Sequence, residues 1–172
     1  MTQSTVKSTG WAQVFEAIAD RIPVLRGYRA KEGMRDVDKI LRTQTAERMA
    51  RIKNGLDEVK RRLTEKGKIG MLDQIDRLTR ILGKLRDIHR FDAYGYSGYF
   101  DPVKVREQEL ERIYRYDLDI VEKLEALEGS VPAIEEAADT EAGLRAAIGD
   151  FEASLGDLEK AVLGRKEAVT TL

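Results

Sequence analysis

The chain has 172 residues and no cysteine; 35% of its residues are charged, 6% are aromatic, and the net charge is −1. That length suits one domain with a core of its own, and without thiols disulfides and zinc–thiolate sites are excluded. A lone histidine argues against most zinc sites, and no apolar run approaches the ~20 residues that span a bilayer.

Abundant Leu, Ala, Glu, Lys and Arg with only three prolines is the composition of long paired helices. The opening residues, MTQSTVKSTGWAQ, lack the charged start and apolar middle of a signal peptide, so the cytoplasm is the expected compartment. In WAQVFEAIADRI, residues 11–22, Trp11, Val14, Phe15, Ile18 and Ile22 form an apolar stripe at helical spacing. Pro23 ends or kinks this helix, because proline disfavours helical geometry in the residue before it. Residues 1–34 therefore read as an amphipathic helix with a connector, and residues 35–172 as an antiparallel four-helix bundle in an all-α fold.

The second helix is expected over 35–66, where Met49, Ile52, Leu56, Val59 and Leu63 step by three and four, a heptad seam that Val37, Ile40 and Leu41 extend backward. Gly55 lies inside it and weakens it by about 1 kcal/mol relative to alanine. EKGKIG supplies turn chemistry. The third helix, 71–90, carries Met71, Ile75, Leu78, Leu82 and Leu85, and its next seam position is His89. The fourth is expected to start with Asp101 as N-cap and Pro102 as first residue and to stop at Gly129. Its seam, Leu110, Ile113, Ile120, Leu124 and Leu127, is interrupted by Asp117. The fifth is expected from Ser130, with Pro132 in its first turn; Leu144, Ile148, Phe151, Leu155, Leu158, Val162 and Val169 hold its spacing, with Arg165 between the last two.

Charge is divided along the chain. Residues 1–90 carry 21 Lys/Arg against 12 Asp/Glu, and residues 91–172 carry 9 against 19. Such a split suggests a charge-driven contact. The favoured reading sets basic against acidic helices within one chain; the alternative sets the basic face on an anionic partner or another copy.

Two groups of residues stand out. FDAYGYSGYFDP, residues 91–102, holds Phe91, Tyr94, Tyr96, Tyr99 and Phe100, five of the chain's eleven aromatics. It reads as a plug over the bundle end or as a recognition surface, since tyrosine gives rigid contact area at low entropy cost. His89 and Asp117 occupy seam positions that call for apolar residues. They read as register-setting polar groups satisfied by hydrogen bonds, with Asp92 or Asp87 as partner for His89. A catalytic pair would need a nucleophile and a pocket, and neither can be read. No Glu-x-x-His pattern marks a di-metal site, and no cofactor motif is present, so Glu107, Glu109, Glu111 and Glu141 read as solvated or salt-bridged. KRRLTEK lacks interleaved aromatics, which disfavours nucleic acid.

The layout of the first half, an amphipathic helix at 11–22 followed by long charged helices, resembles the phage-shock-protein A family of membrane-remodelling proteins. Gly67 and Gly70 break the first hairpin earlier than in that family, and AYGYSGYFD has no counterpart there; no residue role is carried over. The expected function is a non-enzymatic, self-associating scaffold or adaptor. It would bind a protein partner through Trp11, Phe15, Ile18, Tyr94, Tyr96, Tyr99 and Phe100. The alternative is peripheral membrane binding through the N-terminal helix.

Overall fold

The computed structural model describes residues 10–28, 34–91 and 106–170. Among them the protein is all-α, with no strand. The helices are α1 (Gly10–Arg21), α2 (Met34–Glu65), α3 (Leu72–Phe91), α4 (Glu107–Glu136) and α5 (Glu141–Thr170). Single 3₁₀ turns follow α1 (Pro23–Gly27), precede α3 (Ile69–Met71) and join α4 to α5 (Ala137–Asp139).

Two tight connections make two antiparallel pairs. After α2 the chain reverses through Gly67, whose φ of 72° lies in the left-handed region that suits glycine. The Gly67 and Lys68 amides donate to the Thr64 and Leu63 carbonyls, a complete Schellman closure. Lys60 bonds Asp76 at 2.5 Å, and Arg42 donates to the Arg90 carbonyl at 3.1 Å, so α2 and α3 run antiparallel over their length. In the second pair Thr140, with extended backbone, caps α5 by accepting from the Gly143 amide at 3.0 Å.

The two pairs associate side by side. Arg48, Arg51 and Arg62 of α2 meet Glu125, Glu128 and Glu135 of α4 in the same order, so these two helices are parallel. On the other side Arg77 of α3 pairs with Glu152 of α5. These ion pairs set basic against acidic helices within one chain, as the favoured reading of the charge split expects. Gly55 has a packing reason for its place in α2: a Cβ there would lie 3.1 Å from Cγ1 of Val131, so the glycine lets α2 and α4 approach closely.

One apolar cluster fills the space between the four long helices, from Met49 to Leu63, Met71 to Leu85, Ile120 to Ala138 and Leu144 to Val162. A second cluster is made by α1. Val14, Phe15, Ile18, Ala19, Ile22 and Leu25 pack on Met34, Val37 and Leu41 of α2 and on Leu110, Tyr114 and Val121 of α4. Arg21 bonds Glu122, and Arg48 donates to the Arg21 carbonyl, closing the C-terminal end of α1 with a cation.

Two expected boundaries are corrected. The helix expected from Pro102 begins at Glu107, where the backbone of Arg106 is extended and its amide donates to the Glu109 carboxylate at 3.0 Å; Asp101 and Pro102 lie outside the described residues. The break expected at Gly129–Ser130 falls at 137–140, and Pro132 sits inside α4. The reason is that the seam does not stop: after Leu124 and Leu127 come Val131, Ile134 and Ala138, at the same three-four spacing, with Ile134 wholly buried. Proline in a helix interior costs ~3 kcal/mol, and burying a side chain such as isoleucine returns about 1.5–3 kcal/mol.

Candidate functional site

A layer of buried polar side chains crosses the molecule near the N-terminal ends of α2 and α4. All four long helices contribute: Asp38 and Arg42 from α2, His89 from α3, Asp117 from α4 and Arg165 from α5. Their exposures run from 2% to 8%. The apolar cluster of the long helices ends against this layer. On α2 and α4, residues facing outward from it, Val37, Leu41, Tyr114 and Val121, carry α1.

Arg165 is the hub. Its Nε donates to Oδ1 of Asp117 at 2.5 Å, and its Nη2 donates to Oδ1 of Asp38 at 2.6 Å and to Oδ2 of Asp117 at 3.4 Å. The second oxygen of Asp38 accepts from Nε of Arg42 at 2.7 Å, an i,i+4 pair within α2. Arg42 Nη1 goes on to the Arg90 carbonyl at the end of α3. Two carboxylates and two guanidinium groups thus form a neutral chain of charge-assisted bonds. His89 stands beside it, and its Nε2 is buried with no hydrogen-bond partner among the described residues.

Burial dominates the electrostatics. It pulls against the Arg165 charge, yet the two carboxylates outweigh it and the guanidinium pKa rises. It lifts the Asp117 carboxyl above its ordinary value, with help from the Asp38 charge and against the pull of Arg165 and Arg42. It holds His89 well below its ordinary value, reinforced by the positive charges of Arg165 and Arg42, so the imidazole is neutral at pH 7. The Tyr114 phenol is pushed up by burial, then by Asp117 and Asp38. Tyr114 also connects the layer to α1, its ring 5.4 Å from that of Phe15.

The sequence singled out His89 and Asp117, and the structure places both in this one layer. Because α4 begins at Glu107, Asp117 comes level with His89, and Arg165 occupies the Asp117 carboxylate. The expected partner Asp87 is bonded to Arg86 instead, and Asp92 lies outside the described residues. Asp38 and Arg42 were missed, although a signal exists. Extending the α2 seam strictly backward from Met49 by four and three gives Thr45, Arg42 and Asp38, all buried. Each long helix carries a polar residue on its own seam at this level.

The remaining candidates are placed as follows. Phe15 and Ile18 are buried by the chain's own α2 and α4, and Trp11 is half-buried at the edge of that cluster, so these three do not form an open surface. Tyr94, Tyr96, Tyr99 and Phe100 lie outside the described residues. Phe91, just before them, is 53% exposed, with the Arg90 guanidinium 5.6 Å from its ring centroid. Glu109 caps α4, Glu111 pairs with Arg115 at 2.6 Å and Glu141 with Arg145 at 3.0 Å. In KRRLTEK, Lys60 pairs with Asp76, Arg61 with Glu58 and Glu65, and Arg62 with Glu58 and Glu135. Among the described residues no group of three or more acidic or histidine side chains is arranged to hold a metal ion, and no helix is long and apolar enough to cross a membrane. Comparison with protein-family models, with curated proteins and with solved structures finds no match for this chain.

Proposed function

We propose that the protein is a non-enzymatic helical scaffold or adaptor, with α2–α5 as a four-helix bundle and with a recognition surface at the end of α3. The observation that carries this reading is Phe91. It is an exposed aromatic on the last turn of a rigid helix, stacked by Arg90, and it leads directly into the segment that holds Tyr94, Tyr96, Tyr99 and Phe100. Aromatic residues presented from a rigid element are what binding surfaces use as anchors. The polar layer supports the same reading, because Asp38, Asp117 and Arg165 are committed to one another and fix the helix ends that frame this surface.

Self-association through this surface is the first partnership to test. Sedimentation of the full chain should show mass rising with concentration. The variant Phe91→Ser/Tyr96→Ala/Tyr99→Ala should stay monomeric with unchanged helicity. Because the ion pairs between the basic and acidic halves close within one chain, the association should be insensitive to salt. A wild-type protein that is monomeric at every concentration would remove self-association from the proposal.

A second reading, peripheral membrane binding, rests on exposed Val24 and Tyr28 next to exposed Arg26, just beyond α1. The apolar face of α1 is engaged with α2 and α4, which sets this reading second. Flotation with anionic liposomes that is lost when residues 1–30 are removed would move it to first.

A further inference from the structure

We infer that the buried layer is an acid-sensitive latch: a proton on His89 places a third cation beside Arg42 and Arg165 and loosens α2 and α4 where they seat α1.

Among the described residues, no group is free to compensate the extra charge. From α2, the layer presents Asp38 and Arg42; from α4, Asp117, with Tyr114 one turn away on the α1 side; from α5, Arg165. Both carboxylates are already held by guanidinium groups at 2.5–2.7 Å. On its own helix, Asp87 is bonded outward to Arg86, and Arg90 is exposed. On α1, Glu16 and Asp20 are exposed, and Arg21 pairs with Glu122 and Glu125. The imidazole Nε2 is buried without a hydrogen-bond partner among the described residues, so a protonated ring there would add a buried N–H and a buried charge together.

The consequence reaches α1 because α2 and α4 each carry both contacts. On α2, Asp38 and Arg42 belong to the layer while Val37 and Leu41 belong to the apolar cluster that includes α1; on α4, on which α1 chiefly packs, Asp117 belongs to the layer while Tyr114 and Val121 belong to that cluster. Phe15 packs on Tyr114, one turn from Asp117. The apolar cluster farther along the long helices, from Met49 and Leu85 onward, contains no ionisable side chain and is not drawn into the change. This inference concerns how the α1 end opens, and it holds whatever that end binds.

Trp11 is the chain's one tryptophan and reports on α1. Its emission and the far-UV circular dichroism would be followed from pH 8 to pH 4.5 in the wild type and in His89→Gln and His89→Leu. A histidine that ionises normally only when exposed weakens the closed form tenfold for each pH unit below about 6.5, hence roughly a hundredfold by pH 4.5. The expected result is an acid-induced shift of Trp11 emission with helicity largely kept in the wild type, and loss of that shift in both variants. The same profile in all three proteins, or no wild-type shift by pH 4.5, would overturn the latch. Hydrogen exchange of the wild type, corrected for intrinsic rates, tests it without a variant. Residues 34–42 and 110–118 should lose protection between pH 7 and pH 5 while 49–63 keep theirs; equal loss throughout would count against it.

Discussion

Arg165 sits where a heptad asks for leucine or valine, between Val162 and Val169, and it repays its burial only because Asp38 and Asp117 meet it with good geometry. Removing it alone should be severe: Arg165→Met leaves two buried carboxylates facing each other and is expected to cost about 3–5 kcal/mol in urea denaturation. Removing the network as a whole should not. Replacing Asp38, Arg42, Asp117 and Arg165 together by leucine or methionine is expected to be neutral or stabilising by about 1–4 kcal/mol. What the apolar version should lose is a single register, seen as broadened NMR resonances. A quadruple variant as unstable as Arg165→Met would show that the network does more than hold register.

The two titrating members of the layer act with opposite signs. The folded-state value of His89 is depressed, so its contribution is fully present above 6.5 and is lost as pH falls below it. The folded-state value of Asp117 is raised. Its contribution is therefore present below its ordinary 3.8 and is lost as pH rises from there through the folded value. Asp117→Asn should flatten the second slope and leave the first, which thermal melts between pH 4 and pH 7 can separate. His89 and Asp117 were legible as seam faults because each interrupts a clear run. Asp38 and Arg42 were not, because Val37 and Leu41 lie beside them and offer α2 a second apolar stripe, the one that α1 uses.

At the scale of the element, α1, α2 and α3 fall within a residue or so of the bounds that periodicity assigns, since apolar spacing and the breakers Pro23, Gly67 and Gly70 agree there. In α4 they conflict. Gly129 and Pro132 signal an end, while Val131, Ile134 and Ala138 prolong the seam, and burial prevails. The signal for the true break was Thr140, an N-cap residue followed by acidic Glu141. Thr140→Ala should therefore cost about 1 kcal/mol. Pro132→Ala, at an exposed position, should restore the amide donor to the α4 ladder and stabilise by about 1–3 kcal/mol. A Pro132→Ala protein that melts no higher than wild type would mean that α4 has adapted fully to its proline.

At the scale of the molecule, the sequence made four long helices and short connections legible, and it made the mutual neutralisation of the two halves the favoured reading. The expected antiparallel order holds within the α2–α3 and α4–α5 pairs but not between α2 and α4, which are parallel neighbours; heptad seams of leucine and isoleucine are alike on every helix and do not choose which helices face each other. The parallel contact of α2 with α4 is written instead in exposed ion pairs, Arg48 with Glu125 and Arg51 with Glu128. Each is worth at most about 1 kcal/mol. Arg51→Glu should destabilise by that order, and adding Glu128→Arg should restore the loss. Failure of the exchanged pair to recover would mean that close packing at Gly55 and Val131 alone sets this orientation.

Both tight connections, at Gly67 and at Thr140, lie at one end of the molecule, and the polar layer lies toward the other. Mechanically each hairpin is a pair of tongs hinged at its own turn, and Arg165 of α5, gripping Asp38 of α2 and Asp117 of α4, clasps one hairpin to the other at the opposite end.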